Sequence, residues 1–91
     1  MNLDIGSQIE LLLLQRVHAG HITEFCELYF DDGRRIWHTA TRALRTLTEV
    51  GRLALGEPGP DRSRPVALTE FGLDRYAALC ERARADHATA P

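Results

Sequence analysis

The sequence predicts a mostly α-helical domain with one small β-hairpin, in the order α-α-α-β-β-α. Three observations lead to it. Apolar residues recur at spacings of three and four along several stretches, as one face of a helix requires. Glycines stand where two of those stretches stop, at Gly20 and Gly51. A Pro/Gly-rich break, Glu57-Pro58-Gly59-Pro60-Asp61, separates two short runs that read as strands. At 91 residues the chain has room for a single core, so one domain is expected over 1–91.

The elements follow in order. Ser7-Gln8-Ile9-Glu10 fits a capping box, and Ile9, Leu11 to Leu14 and Val17 make a first helix ending near Gly20. Four consecutive leucines cover more than one helical face and ask for two burial partners, one of which can be a second subunit. Thr23 is placed to cap a second helix from Glu24 to about Phe30, turning Phe25, Leu28 and Tyr29 inward. Asp31-Asp32-Gly33 is a turn.

A third helix is expected from about Arg35 to Val50. Its inward stripe is Ile36 or Trp37, then Ala40, Ala43, Leu44 and Leu47, and its outer face carries His38, Thr41, Arg42 and Arg45. Strands at Arg52–Leu55 and Val66–Leu68 form the hairpin over about 52–68, with Arg62 and Arg64 at its tip. Thr69 caps a last helix over about 70–87, whose apolar content is Phe71, Leu73, Tyr76, Ala77, Leu79, Cys80 and Ala83.

The net charge is −2, yet it is unevenly spread: −5 over residues 1–33, +4 over 34–64 and −1 over 65–91. A polyanion responds to the local field, so the middle third is the candidate contact region. All eleven basic residues are arginine, a usage that a GC-rich genome explains, although the planar guanidinium also suits phosphates and guanine edges. No stretch reaches the ~20 apolar residues of a membrane span, and Met1-Asn2-Leu3-Asp4 lacks the basic flank of a secretory signal. Two cysteines 54 positions apart suit a reduced cytoplasm, where this chain is expected to work.

Ala40-Thr-Arg-Ala-Leu-Arg-Thr-Leu-Thr-Glu-Val-Gly-Arg-Leu53 and Leu68-Thr69-Glu70-Phe71-Gly72 resemble the joints of winged helix-turn-helix regulators of the MarR and PadR families. The first looks like the end of a recognition helix entering a wing strand, the second like the exit from the wing. The resemblance covers residues 22 to about 80. It implies a dimeric, cytoplasmic, bacterial or phage transcriptional regulator, a repressor before an activator, that binds double-stranded DNA sequence-specifically. It further implies contacts from Arg34, Arg35, His38, Thr39, Thr41, Arg42 and Arg45 on the recognition helix and from Arg62 and Arg64 on the wing. Pairing through Leu11, Leu12 and Leu14 of the first helix with Tyr76 and Leu79 of the last is implied as well.

Other readings stand beside it. The same domain could be a protein-interaction module, or an accessory DNA-binding factor in replication, excision or plasmid and phage transfer. His18, His21 and Cys26 are close in sequence but supply no fourth ligand, so no metal and no cofactor are expected. Cys26 and Cys80 read as buried inert thiols, and Trp37 as a core anchor before a base-stacking residue. No paired-carboxylate site, nucleophile elbow or phosphate loop is present, so no enzymatic activity is expected.

Overall fold

Asp4, rather than Ser7, starts the first helix. In the computed structural model, which describes residues 3–88, its carboxylate accepts the Ser7 backbone N–H at 2.6 Å. Helix α1 (Ile5–His18) therefore begins before the expected capping box, and Ser7 is buried on its inner face.

The segment expected to be the second helix is a β-hairpin. Strands β1 (Ile22–Phe25) and β2 (Leu28–Asp31) pair antiparallel, with Phe25 opposite Leu28 across a two-residue turn. Cys26 and Glu27 in that turn both take positive φ, 51° and 67°, as the tight turns that match strand twist require. Ile, Thr, Phe and Tyr are β-branched or aromatic residues that fit a pleated surface, and here that preference overrides the helical spacing of Phe25, Leu28 and Tyr29. A second two-residue turn, Asp32-Gly33, leads into the short strand β3 (Arg34–Arg35). Glycine meets the φ of 83° at its second position without steric cost.

Helix α2 (His38–Glu49) starts three residues later than expected, because Arg34 and Arg35 are strand. It ends at Gly51, as the sequence indicates. Strands β4 (Leu53–Leu55) and β5 (Arg64–Leu68) form the expected second hairpin around the proline-bearing loop, and α3 (Glu70–Ala88) follows. The observed order is α-β-β-β-α-β-β-α, and one antiparallel sheet runs β3-β2-β1-β5-β4. The α-α-α-β-β-α order and the mostly helical, winged helix-turn-helix class are thus overturned in favour of a small mixed α/β domain. Strands β1–β3 stand between α1 and α2, so no helix directly precedes α2 to make a helix-turn-helix unit with it.

The core gathers Leu13, Leu14 and Val17 from α1, Ile22 and Tyr29 from the first hairpin, Leu44 and Leu47 from α2, and Leu53, Val66 and Leu79. The Tyr29 hydroxyl, buried with its ring, meets Thr48 Oγ1 at 3.2 Å, so its burial leaves no polar group unpaired. Glu10 ties three elements: its carboxylate accepts from Arg52 beside β4 at 2.9 Å and from Arg75 of α3 at 3.0 and 3.1 Å. At the start of α3, Thr69 Oγ1 accepts the Gly72 N–H and donates to the Gly51 carbonyl. The threonine of the 68–72 motif thus caps one helix while tying it to the end of another. No helix among the described residues is long and apolar enough to cross a membrane.

Candidate nucleic-acid interface

The fold divides the arginines into two populations. Arg16 pairs with Asp31 and Asp32, Arg52 and Arg75 converge on Glu10, and Arg84 meets Glu81. Among the described residues Arg34, Arg35, Arg42, Arg45, Arg62 and Arg64 have no carboxylate partner. Three of the six acids of the first third, Glu10, Asp31 and Asp32, are thereby paired with arginines that hold the fold together. The arginines of the middle third, Arg52 apart, keep their charge for the solvent.

Four of these unpaired arginines surround the start and outer face of α2. Ala40, Leu44 and Leu47 anchor the helix in the core, so the opposite side must face out. His38, Thr39, Arg42 and Arg45 are all exposed there. A hollow of about 510 Å³ is lined by Arg35, Trp37, His38, Thr41, Arg42 and Arg45, and by no carboxylate. Arg45 Nη2 reaches the Glu27 carbonyl at 3.4 Å, which leans it toward the first hairpin. Thr41 is half-buried and donates its hydroxyl to the Ile36 carbonyl at 3.2 Å, so it shapes the helix start more than it offers a free group. Arg34 lies across Trp37, in a neighbouring hollow of about 830 Å³ with Arg35, Arg16, Asp31 and Asp32.

A basic helical face of this kind is a common enough device that relatives would be informative. No family profile, curated protein or solved structure matches this chain. The arrangement has to be read from its own chemistry.

Arg62 and Arg64 do not join the α2 group. They line a separate hollow of about 520 Å³ at the tip of the first hairpin, together with Glu24 and Glu27. Arg64 also stands directly opposite Glu24 across the β1–β5 ladder. Carboxylates at that distance offset part of their field, so the proline loop contributes less positive potential than its two arginines suggest.

Trp37 departs most from expectation. It is 73% exposed rather than a core anchor, and Ile36 takes the inward place. The signal was readable: after an Asp-Gly turn, Arg34-Arg35-Ile36-Trp37 alternates with strand periodicity, which sends Ile36 in and its neighbours out. Phe25 and Phe71 are likewise exposed, and Cys26 sits exposed at the hairpin tip rather than buried. Of the residues expected at a subunit interface, Leu14 and Leu79 are fully buried in the chain's own core. Leu11 and Tyr76 pack partly against that core. Leu12 is the exposed one, in line with Ile5 and Ile9 on α1.

His21, Asp31 and Asp32 bring ligand atoms within 4.8 Å of one another, a set that excludes His18 and Cys26. Arg16 fills this place with a permanent positive charge, donating to Asp31 at 2.9 and 2.6 Å and to Asp32 at 3.1 Å. These bonds hold the Asp31 carboxyl below its ordinary value of 3.8, and the Ser7 N–H does the same for Asp4. A carboxyl lowered in the folded state stabilises the fold above its unfolded pKa and loses that contribution as pH falls through the lowered one. Thermal stability is therefore expected to be level from about pH 7 to 5 and to fall progressively below about pH 4. Asp31→Asn should flatten that decline in melts followed by circular dichroism; an unchanged acid limb would remove Asp31 as its source.

Proposed function

We propose that this chain binds double-stranded DNA by laying the outer face of α2 in the major groove. The observation that carries the reading is the hollow on that face, where Arg35, Arg42 and Arg45 converge with no carboxylate among them. The pairing of Glu10 with Arg52 and Arg75 supports it, because it brings two positive charges from outside residues 1–33 onto that acidic segment and lessens its repulsion of a polyanion. Twelve residues make a helix about 18 Å long, and the major groove is the one that admits a helix and displays a distinct pattern for every base pair.

The start of α2 adds to the match. Its first turn holds no acid and its cap, Trp37, supplies no side-chain acceptor. The positive end of the helix dipole is left for an outside anion such as a phosphate. Arg34 and Arg35, on the edge strand just before it, are placed to grip the same backbone.

Binding of a labelled duplex, followed by anisotropy over a salt series, tests the proposal. Each neutralised phosphate contributes about 0.9 to the slope of log K against log salt, so four arginines give a slope of about −3 to −4. A chain that ignores duplex DNA at low salt, or binds it with no salt dependence, does not work this way.

A further inference from the structure

We propose that Trp37 is a base-stacking residue, and that the preferred ligand is duplex DNA carrying an unpaired base beside the segment of groove that α2 occupies. This rests on the duplex-binding reading and adds what that reading leaves unexplained, the exposure of the chain's single tryptophan.

The position of the indole is dictated by the fold. The Asp32-Gly33 turn sets the register of β3, with Asp31 opposite Arg34, and the Ile36 N–H donates to the Tyr29 carbonyl at 3.0 Å. A one-residue slip would bury Trp37 and expose Ile36, but it would break both constraints. Trp37 then occupies the cap of α2, where a small acceptor such as serine or aspartate is normally favoured and where indole satisfies no backbone group. Neither core packing nor helix capping accounts for this residue.

Its surroundings suit a base whose phosphate lies in the carboxylate-free hollow beside it. Trp37 lines both the 510 and the 830 Å³ hollows and is exposed to solvent. Arg35, Arg42 and Arg45 line one hollow with no carboxylate, and Arg34 and Arg35 line the other, where Arg16 holds Asp31 and Asp32. An aromatic face flanked by guanidinium groups is the combination by which single strands are held, bases on the ring and phosphates on the arginines. A base within an intact duplex shows its edge to the groove and hides its face in the stack. A tryptophan at the end of a groove helix can therefore stack only where a base is free on one face, at a junction, a bulge or an overhang.

The test uses the intact chain and three DNAs of one sequence: a blunt duplex, the same duplex with a short unpaired extension, and the single strand. Binding is read by anisotropy of labelled DNA, and stacking by the emission of Trp37 with unlabelled DNA. The junction is expected to bind about tenfold more tightly than the blunt duplex and to quench the emission. Trp37→Ala should lose the preference for the junction over the blunt duplex, read as the ratio of the two affinities, and Trp37→Phe should retain part of it. No quenching by the junction overturns the proposal, as does an equal loss by Trp37→Ala on all three DNAs. Emission that changes with protein concentration alone, or that an acidic peptide quenches equally, also overturns it, because a second copy or a protein partner would then cover the indole. Blunt-duplex binding without junction preference sinks the role of Trp37 alone; no binding to any DNA sinks the duplex reading as well.

Discussion

Gly72→Ala is expected to destabilise the fold by about 3 kcal/mol or more, a large share of the stability of a domain this small. A Cβ built at Gly72 would lie 2.0 Å from the Arg52 carbonyl oxygen and 3.0 Å from its carbon, far inside contact distance. The obstacle is backbone, which cannot swing aside as a side chain does. Moving Arg52 would break the bond from the Thr69 N–H to its carbonyl at 3.0 Å and drag on the Arg52–Glu10 pair. It would also disturb the link between Thr69 and Gly51 that fixes the start of α3 to the end of α2. Urea unfolding should show a lower midpoint with an unchanged slope. Gly6→Ala supplies the opposite sign: its Cβ would meet only the Asp4 carboxylate at 3.6 Å, and alanine favours the helix by up to about 1 kcal/mol. A Gly72→Ala protein within about 1 kcal/mol of wild type would contradict the close approach that organises this corner.

The second large effect is on binding. Replacing Arg42 and Arg45 together by alanine should weaken duplex binding by about a hundredfold, at about 1–3 kcal/mol for each lost contact. Both side chains lie one turn apart on the exposed face of α2, so their losses need not add simply. If both reach phosphates, the salt slope falls by about 1.8 and every sequence weakens equally. If one reads a base edge, preference for the best sequence falls while the slope changes less. Arg62→Ala with Arg64→Ala should cost clearly less, because Glu24 and Glu27 already oppose those charges. Neither variant should alter the melting temperature by more than a few degrees, since none of the four holds an ion pair. Equal losses in the two double variants would contradict the separation of the α2 face from the proline loop.

The candidate site was partly legible and partly hidden, for identifiable reasons. The outer face of α2 could be read because Ala40, Leu44 and Leu47 leave His38, Arg42 and Arg45 only one direction to point. Gly51, the Pro58–Pro60 break and the Thr69 cap were equally readable, since each acts through local backbone chemistry. The first hairpin was not. Cys26-Glu27 is an unusual dipeptide for two positive φ angles, and Phe25, Leu28 and Tyr29 satisfy a helical spacing as well as a strand pairing. Asp32-Gly33 was the available clue, a favoured hairpin turn flanked by residues able to pair.

By itself the sequence determined where charge gathers, which face of α2 is apolar, and the turns at Asp32-Gly33, Gly51 and the Pro58–Pro60 break, because these follow from side-chain character and short-range backbone preference. Only the tertiary structure decided that residues 22–31 form a β-hairpin and that Arg16, Arg52 and Arg75 are spent on internal carboxylates. The ion pairs join residues 15 to 65 positions apart, as in Arg16 with Asp31 and Arg75 with Glu10, and the first hairpin is held in the sheet by β5, where Thr23 stands opposite Pro65. Contacts at that separation are chosen by the packing of the whole sheet against its helices, and a pattern read along the chain does not contain them.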